Sequence, residues 1–282
     1  MLNQFKTVLL LGAMSGLMLG VGWLLGGQTG LLVGLIFSLG FNFVSYWYSD
    51  KMVLKMYNAK LAQGEYEYVR HMVEDIARKA GLPKPKAYII DTPQANAFAT
   101  GRNPSHAVVA CTTGIISALS KEELRAVIGH EVAHIKHRDI LIASVAAGIA
   151  SVISYIGTMV QWMAMFGLGN RDDDNGSGMI QLIVLGFVTP LIAALIQFAI
   201  SRSREFLADE EGARLTRPED LATALEKIHA SVNARPIKQS AATQATAHMF
   251  IANPFSGKAI MNMFSTHPPM EVRVKKLRAM RH

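Results

Sequence analysis

The chain has 282 residues, 50% of them hydrophobic and only 17% charged, with a formal net charge of +7. Soluble domains carry about 25% charged residues, so this composition points to an integral membrane protein rather than an ordinary soluble domain. The single cysteine, Cys111, excludes an intramolecular disulfide and, in its apolar segment, is expected to be a small core residue.

Residues 7–49 contain no Asp, Glu, Lys or Arg. That run is too long for one span of about 20 residues and suits two. The break is Gly26-Gly27-Gln28-Thr29-Gly30, giving expected spans over 7–25 and 31–48, the second ending in the interfacial cluster Tyr46-Trp47-Tyr48. A second apolar run follows the first directly and no small-residue cleavage site is evident, so the segment reads as an uncleaved anchor.

Residues 65–80 then read as a helix stopped at Gly81-Leu82-Pro83, and 87–90 as a short strand. Two further strands, 95–100 and 106–111, are joined by Gly101-Arg102-Asn103-Pro104-Ser105. Ser120-Lys121-Glu122-Glu123 has the form of a capping box, and Leu124, Val127, Ile128, Val132 and Ile135 recur at helical spacing behind it.

Inside that helix lies His130-Glu131-Val132-Ala133-His134. Histidines four apart on a helix share a face and can grip one metal ion, while Glu131 is placed to take a proton from a water that the metal polarises. The spacing has the form of a zinc peptidase site.

Two more apolar runs, 140–166 and 179–200, flank the polar stretch 170–176. Their length favours a second membrane hairpin over a pair of buried helices, and membrane helices tolerate Pro190. Helices are expected at 203–215, at 218–231 with Pro218 at its first position, and at 269–281; residues 233–266 lack periodicity and read as a loop or lid.

Lys6, Lys51, Lys55, Lys60, His137, Arg138, Arg202 and Arg204 flank the four spans on one side. The positive-inside rule assigns that side to the cytoplasm. The expected organisation is a hairpin over 1–48, the first part of a cytoplasmic domain over 49–139, a second hairpin over 140–200, and the rest of the domain over 201–282. The basic balance fits attraction to anionic membrane lipid, and no basic face with aromatic platforms suggests nucleic acid.

A catalytic zinc needs three protein ligands and one open position. His137 is near in sequence but would strain the geometry on one short helix. Glu205 is the other candidate, with Asp209 one turn later placed to fix a ligand imidazole; an ion pair of Glu205 with Arg202 or Arg204 is the alternative.

The two segments His130–His134 and Glu205-Phe206-Leu207-Ala208-Asp209 resemble the H-E-x-x-H and E-x-x-x-D pattern of gluzincin peptidases. With Asn96-Ala97-Phe98-Ala99-Thr100-Gly101, Thr266-His267-Pro268-Pro269-Met270-Glu271-Val272-Arg273 and the order of apolar hairpins, the whole chain resembles the HtpX family of bacterial heat-shock membrane proteases, related to CAAX-prenyl proteases. The resemblance implies an α+β, zincin-like domain with four transmembrane helices in two hairpins. It implies a multi-pass protein of the bacterial inner membrane with its active site facing the cytoplasm.

It further implies one Zn2+ per chain held by His130, His134 and Glu205, with Glu131 as general base. Its substrates would be unfolded or damaged membrane proteins. His267 is the candidate donor to the oxyanion, with Arg273 second or structural. Asn96, Ala97, Phe98 and Ala99 would form an edge strand that pairs with substrate backbone, or an ordinary sheet edge. The competing functions are a processing protease with one dedicated lipidated or membrane peptide, and a membrane chaperone with structural zinc.

Overall fold

The structure is a computed structural model that describes residues 2–146, 202–234, 250–251 and 268–280. The expected spans beyond residue 146, most of the expected loop at 233–266, and His267 lie outside the described residues.

Helix α1 (Leu2–Met56) takes up the whole charge-free run and leaves helical geometry only at Gly26 and Gly27. Gly27 has φ +54°, which a side chain would strain. There the chain doubles back. A Cβ on Gly22 would meet the Gly30 carbonyl at 2.3 Å, and one on Gly34 would meet that of Met18 at 2.5 Å, so glycines line a seam where two arms touch backbone to backbone. The second arm contains Gly26–Tyr48, 23 residues of mean hydropathy 1.6, long and apolar enough to cross a bilayer; Phe5–Gly20 in the first arm is apolar but shorter. The break is tighter than the expected five residues. The second arm also runs on past Tyr48, because Asp50, Lys51 and Lys55 carry charge without breaking a helix. It ends at Asn58, whose φ of +48° an asparagine tolerates well.

The sheet is mixed, in the order β1-β2-β4-β3. Strand β1 (Lys60–Leu61) pairs antiparallel with β2 (Lys86–Ile90). Strand β2 runs parallel to β4 (Val108–Thr112), and β3 (Ala97–Thr100) runs antiparallel to β4 at the edge. Alternation sorts the side chains. Ala87, Ile89, Ala97, Ala99, Val109 and Cys111 face the main core, with Val69, Val73 and Ile76 of α2 (Glu67–Lys79). Ile90, Phe98 and Ala110 face the other way, onto Val53 and Tyr57 at the end of α1. The end of α1 thus supports one face of the sheet, and α2 and the helix Lys121–Lys136 the other.

After the short α3 (Thr113–Ala118) comes α4 (Lys121–Lys136). Its capping box is complete: Glu123 N–H donates to Ser120 Oγ at 3.2 Å and Ser120 N–H donates to the Glu123 carboxylate at 2.8 Å. Residues 140–146, here α5, are helical and pack Ile142, Val145 and Ala146 against Leu10 and Met14 of α1. Helices α6 (Arg202–Leu215), α7 (Pro218–Ala234) and α8 (Met270–Arg278) complete the described domain; α7 starts at Pro218, where sequence placed it. Leu221, Leu225 and Ile228 of α7 close the main core over Leu124, Val127 and Ile128 of α4.

Candidate metal centre

His130 and His134 sit one turn apart on α4, with ring nitrogens Nε2 only 3.2 Å from each other. Their outer nitrogens each face a carboxylate. His130 Nδ1 lies 3.0 Å from Asp209 Oδ1, at a poor angle for a linear hydrogen bond, and His134 Nδ1 lies 3.2 Å from Asp139 Oδ2. A carboxylate at Nδ1 favours the tautomer that leaves a lone pair on Nε2. Two lone pairs then converge on one point.

Helix α6 brings the third donor. Glu205 Oε2 is 3.9 Å from His130 Nε2, and its Oε1 is 3.6 Å from His134 Nε2. These three residues form a group whose ligand atoms all lie within 4.8 Å of one another. Tetrahedral bonds of about 2.1 Å would place ligand atoms about 3.4 Å apart, so the donor set fits such an ion. Charge agrees. Four carboxylates (Glu131, Asp139, Glu205, Asp209) meet two guanidinium groups (Arg204, Arg273), which leaves room for two positive charges.

Helices α4 and α6 reach this separation because each is glycine at the crossing. A Cβ on Gly212 would lie 2.7 Å from His130 N and 2.8 Å from its Cα. Gly212 stands seven residues after Glu205 and three after Asp209, on the same face of α6.

Asp209 is buried and held by two parallel hydrogen bonds from Arg273, Nε to Oδ2 at 2.8 Å and Nη2 to Oδ1 at 2.6 Å. Burial alone would raise the Asp209 carboxyl, but Arg273 and then His130 outweigh it and hold it at about 2. Arg273 also donates from Nη1 to Ile251 O at 3.0 Å. Arg273 is fully buried and three of its five N–H groups are engaged within the protein, which supports the structural alternative over an oxyanion role.

Glu131 is 4% exposed, and burial raises its carboxyl to about 7, in the range that suits a general base at neutral pH. Burial also depresses the His130 imidazolium. At His134 burial acts the same way, but Asp139, Glu205 and Glu131 outweigh it and raise the pKa. A proton on His134 and a cation at the donor set answer the same excess of negative charge.

The Glu131 carboxyl lies beside the backbone of Ala99 in the edge strand, a proximity that lowers its pKa against the larger effect of burial. Thr112 N–H donates to Asn96 O at 3.0 Å, so Asn96 and, two on, Phe98 turn their backbone toward β4. Ala97 and Ala99 turn theirs the other way, to the side on which no strand pairs with β3 among the described residues. The Asn96 side chain accepts from Ile251 N–H at 3.1 Å and anchors that segment. Of the four residues expected to meet substrate, the two alanines therefore present the edge.

Two features escaped sequence reasoning. Gly129 and Gly212 carry no motif, though glycine three residues past a ligand-supporting Asp was a usable signal. Asp139 was hidden by the helix end. Arg138 adopts φ +58°, Asp139 N–H bonds to His134 O at 3.0 Å and Arg138 N–H to Ile135 O at 3.1 Å, a Schellman turn that folds Asp139 back onto His134. Glycine usually marks such a turn, and here arginine occupies it.

Residues 64–281 match Peptidase family M48. Proteins named "Protease HtpX homolog" are 50% identical in Thermococcus kodakarensis, over 97% of this chain and 94% of that one, and 48% identical in Persephonella marina, over 98% and 96%. A third, from Pyrococcus furiosus, is 46% identical over 97% of this chain and 94% of its own. Among solved structures, "Crystal Structure of S. mikatae Ste24p" matches with TM-score 0.54 at 17% identity, covering 98% of this chain and 65% of that one, a likeness of fold. With the family match covering most of the chain and relatives at 46–50% identity over nearly its whole length, the chain belongs to peptidase family M48, as a membrane metalloprotease.

Proposed function

We propose that the chain is a zinc endopeptidase that cleaves unfolded or damaged membrane proteins at the cytoplasmic face of the membrane. The observation that carries this reading is the placement of Glu131 beside both the three-donor group and β3, the outer strand of the described sheet. His130, His134 and Glu205 would hold the ion. Three donors among the described residues support a catalytic centre over a closed structural one, which usually takes four. When bound, zinc supplies Lewis-acid polarisation of a carbonyl and acidifies a water molecule. Glu131 accepts the proton of the attacking water and passes it to the leaving amine. Asp209 and Asp139 hold the two imidazoles in register, and Arg273 keeps Asp209 ionised.

An extended substrate segment adds to the edge of β3 through the outward backbone groups of Ala97 and the outward carbonyl of Ala99, whose N–H faces Glu131. Such pairing reads backbone shape rather than side chains, which suits the clearance of unfolded chains. Four spans in two hairpins divide the catalytic domain into residues 49–139 and 201–282, with the basic flanks holding it at the cytoplasmic leaflet. His267 remains the proposed second donor to the oxyanion.

The test is cleavage of several unrelated denatured membrane proteins by the zinc-loaded chain in lipid vesicles, together with cysteine labelling at Gln28→Cys in the exposed turn of the first hairpin. Cleavage of many substrates, with the turn labelled only from the non-cytoplasmic side, is expected. Cleavage of one peptide only would replace quality control by dedicated processing. Labelling from the cytoplasm would overturn the orientation.

A further inference from the structure

The substrate edge does not end freely. At its last residue, Thr100 Oγ1 lies 2.6 Å from Ser144 Oγ, and the next amide, Gly101 N–H, donates to the same oxygen at 3.2 Å. Ser144 Oγ in turn donates to Ile140 O at 2.6 Å. A hydroxyl has one proton and two acceptor positions, and these three contacts use all of them when Thr100 is the donor. Ser144 and Thr100 are fully buried, so each contact stands in a low-dielectric setting where loss costs most.

Ser144 lies on α5, which leaves the active site for the membrane side. Asp139 at its start faces His134, and Ile142, Val145 and Ala146 pack on Leu10 and Met14 of α1. Gly101, with φ +139° and a Cβ position only 2.4 Å from His106 O, fixes the strand end at that point. Arg102 then stacks on Trp47 of α1 at 4.6 Å. Nothing in the chemistry of the metal group needs these contacts. They hold β3.

We infer that Ser144 is a positioning residue for substrate: it pins the end of the substrate-pairing strand to the membrane-side helix and so sets the register in which a peptide meets Glu131. The inference rests on the reading of β3 as the substrate strand. A pinned strand presents Ala97 and Ala99 in one fixed geometry. An unpinned one must be ordered by each substrate as it binds, which appears in KM rather than in the chemical step.

The test is Ser144→Ala in the full-length, zinc-loaded protein in lipid vesicles, assayed with an extended fluorogenic peptide. The expected result is KM raised about tenfold, kcat within twofold and zinc affinity unchanged, with faster hydrogen exchange confined to the β3 amides. Thr100→Val removes the contact from the strand side and serves if Ser144→Ala does not fold. Unchanged KM in both variants, or a fall in kcat with zinc affinity, would overturn the role. A backbone N-methyl scan of the substrate separates the two readings. If no N-methyl position raises KM, the substrate-strand reading itself fails. If one does while Ser144→Ala and Thr100→Val do nothing, only the role of Ser144 fails.

Discussion

Gly212→Ala tests whether helix approach builds the metal group. The added methyl would lie 2.7 Å from His130 N, which is 0.7 Å inside the 3.4 Å where ordinary contact begins, and the obstacle is backbone that cannot turn aside. Helix α6 must retreat by several tenths of an ångström, carrying Glu205 and Asp209 with it. Overpacking costs about 1–3 kcal/mol and alanine recovers about 1 kcal/mol of helix propensity, so the net loss of stability is about 0–2 kcal/mol. Metal geometry is less forgiving, because ligand distances hold to about 0.2 Å. We expect zinc affinity, measured by competition with a chromogenic chelator, to fall roughly 10–100-fold, with a matching loss of activity at limiting zinc. Gly129→Ala is expected to do less, since its methyl would meet the Gly212 carbonyl and the Thr216 methyl at 3.1 Å. Wild-type zinc affinity in Gly212→Ala would refute the idea that close helix packing places Glu205.

Arg273→Met leaves the buried Asp209 carboxylate without its partner and should destabilise the domain by about 3–5 kcal/mol, a melting temperature lower by roughly 10 °C; a shift under 2 °C would count against the pairing. Asp139→Asn should weaken zinc binding about tenfold with little change in KM, as read by chelator competition and steady-state kinetics, and equal affinity would remove Asp139 from the centre. Burial pushes the Cys111 thiol up to about 12, so at pH 8 roughly one thiol in ten thousand is ionised and a thiol reagent should label only the unfolded protein. Rapid labelling under native conditions would place Cys111 outside the core.

The periodic and local signals carried most of the fold. The Ser120 box and Pro218 each placed a helix start to the residue, and the strand expected over 95–100 is found as Ala97–Thr100. Glu205 was harder. It lies far from His134 in sequence, and its ion-pair alternative is equally good chemistry until the fold brings α6 against α4. The sequence offered still less for Asp139, because its contact depends on a left-handed Arg138 that no propensity favours. Strand β1, with two residues, and α3, with six, were too short to leave a period. The extension of α1 beneath the sheet was hidden because charged helix formers look like the end of a span. Gly212 matters through what its missing side chain permits, and that is visible only when the facing backbone is known.

The most direct measurement compares wild type with Glu131→Gln, both purified, zinc-loaded and assayed for bound metal and for cleavage of an unfolded protein. Glu131 is not one of the three donors of the group, so zinc content should be equal in the two, while cleavage should fall by about 10²–10⁴-fold in the variant. Equal cleavage at equal zinc would contradict the assignment of Glu131 as the base.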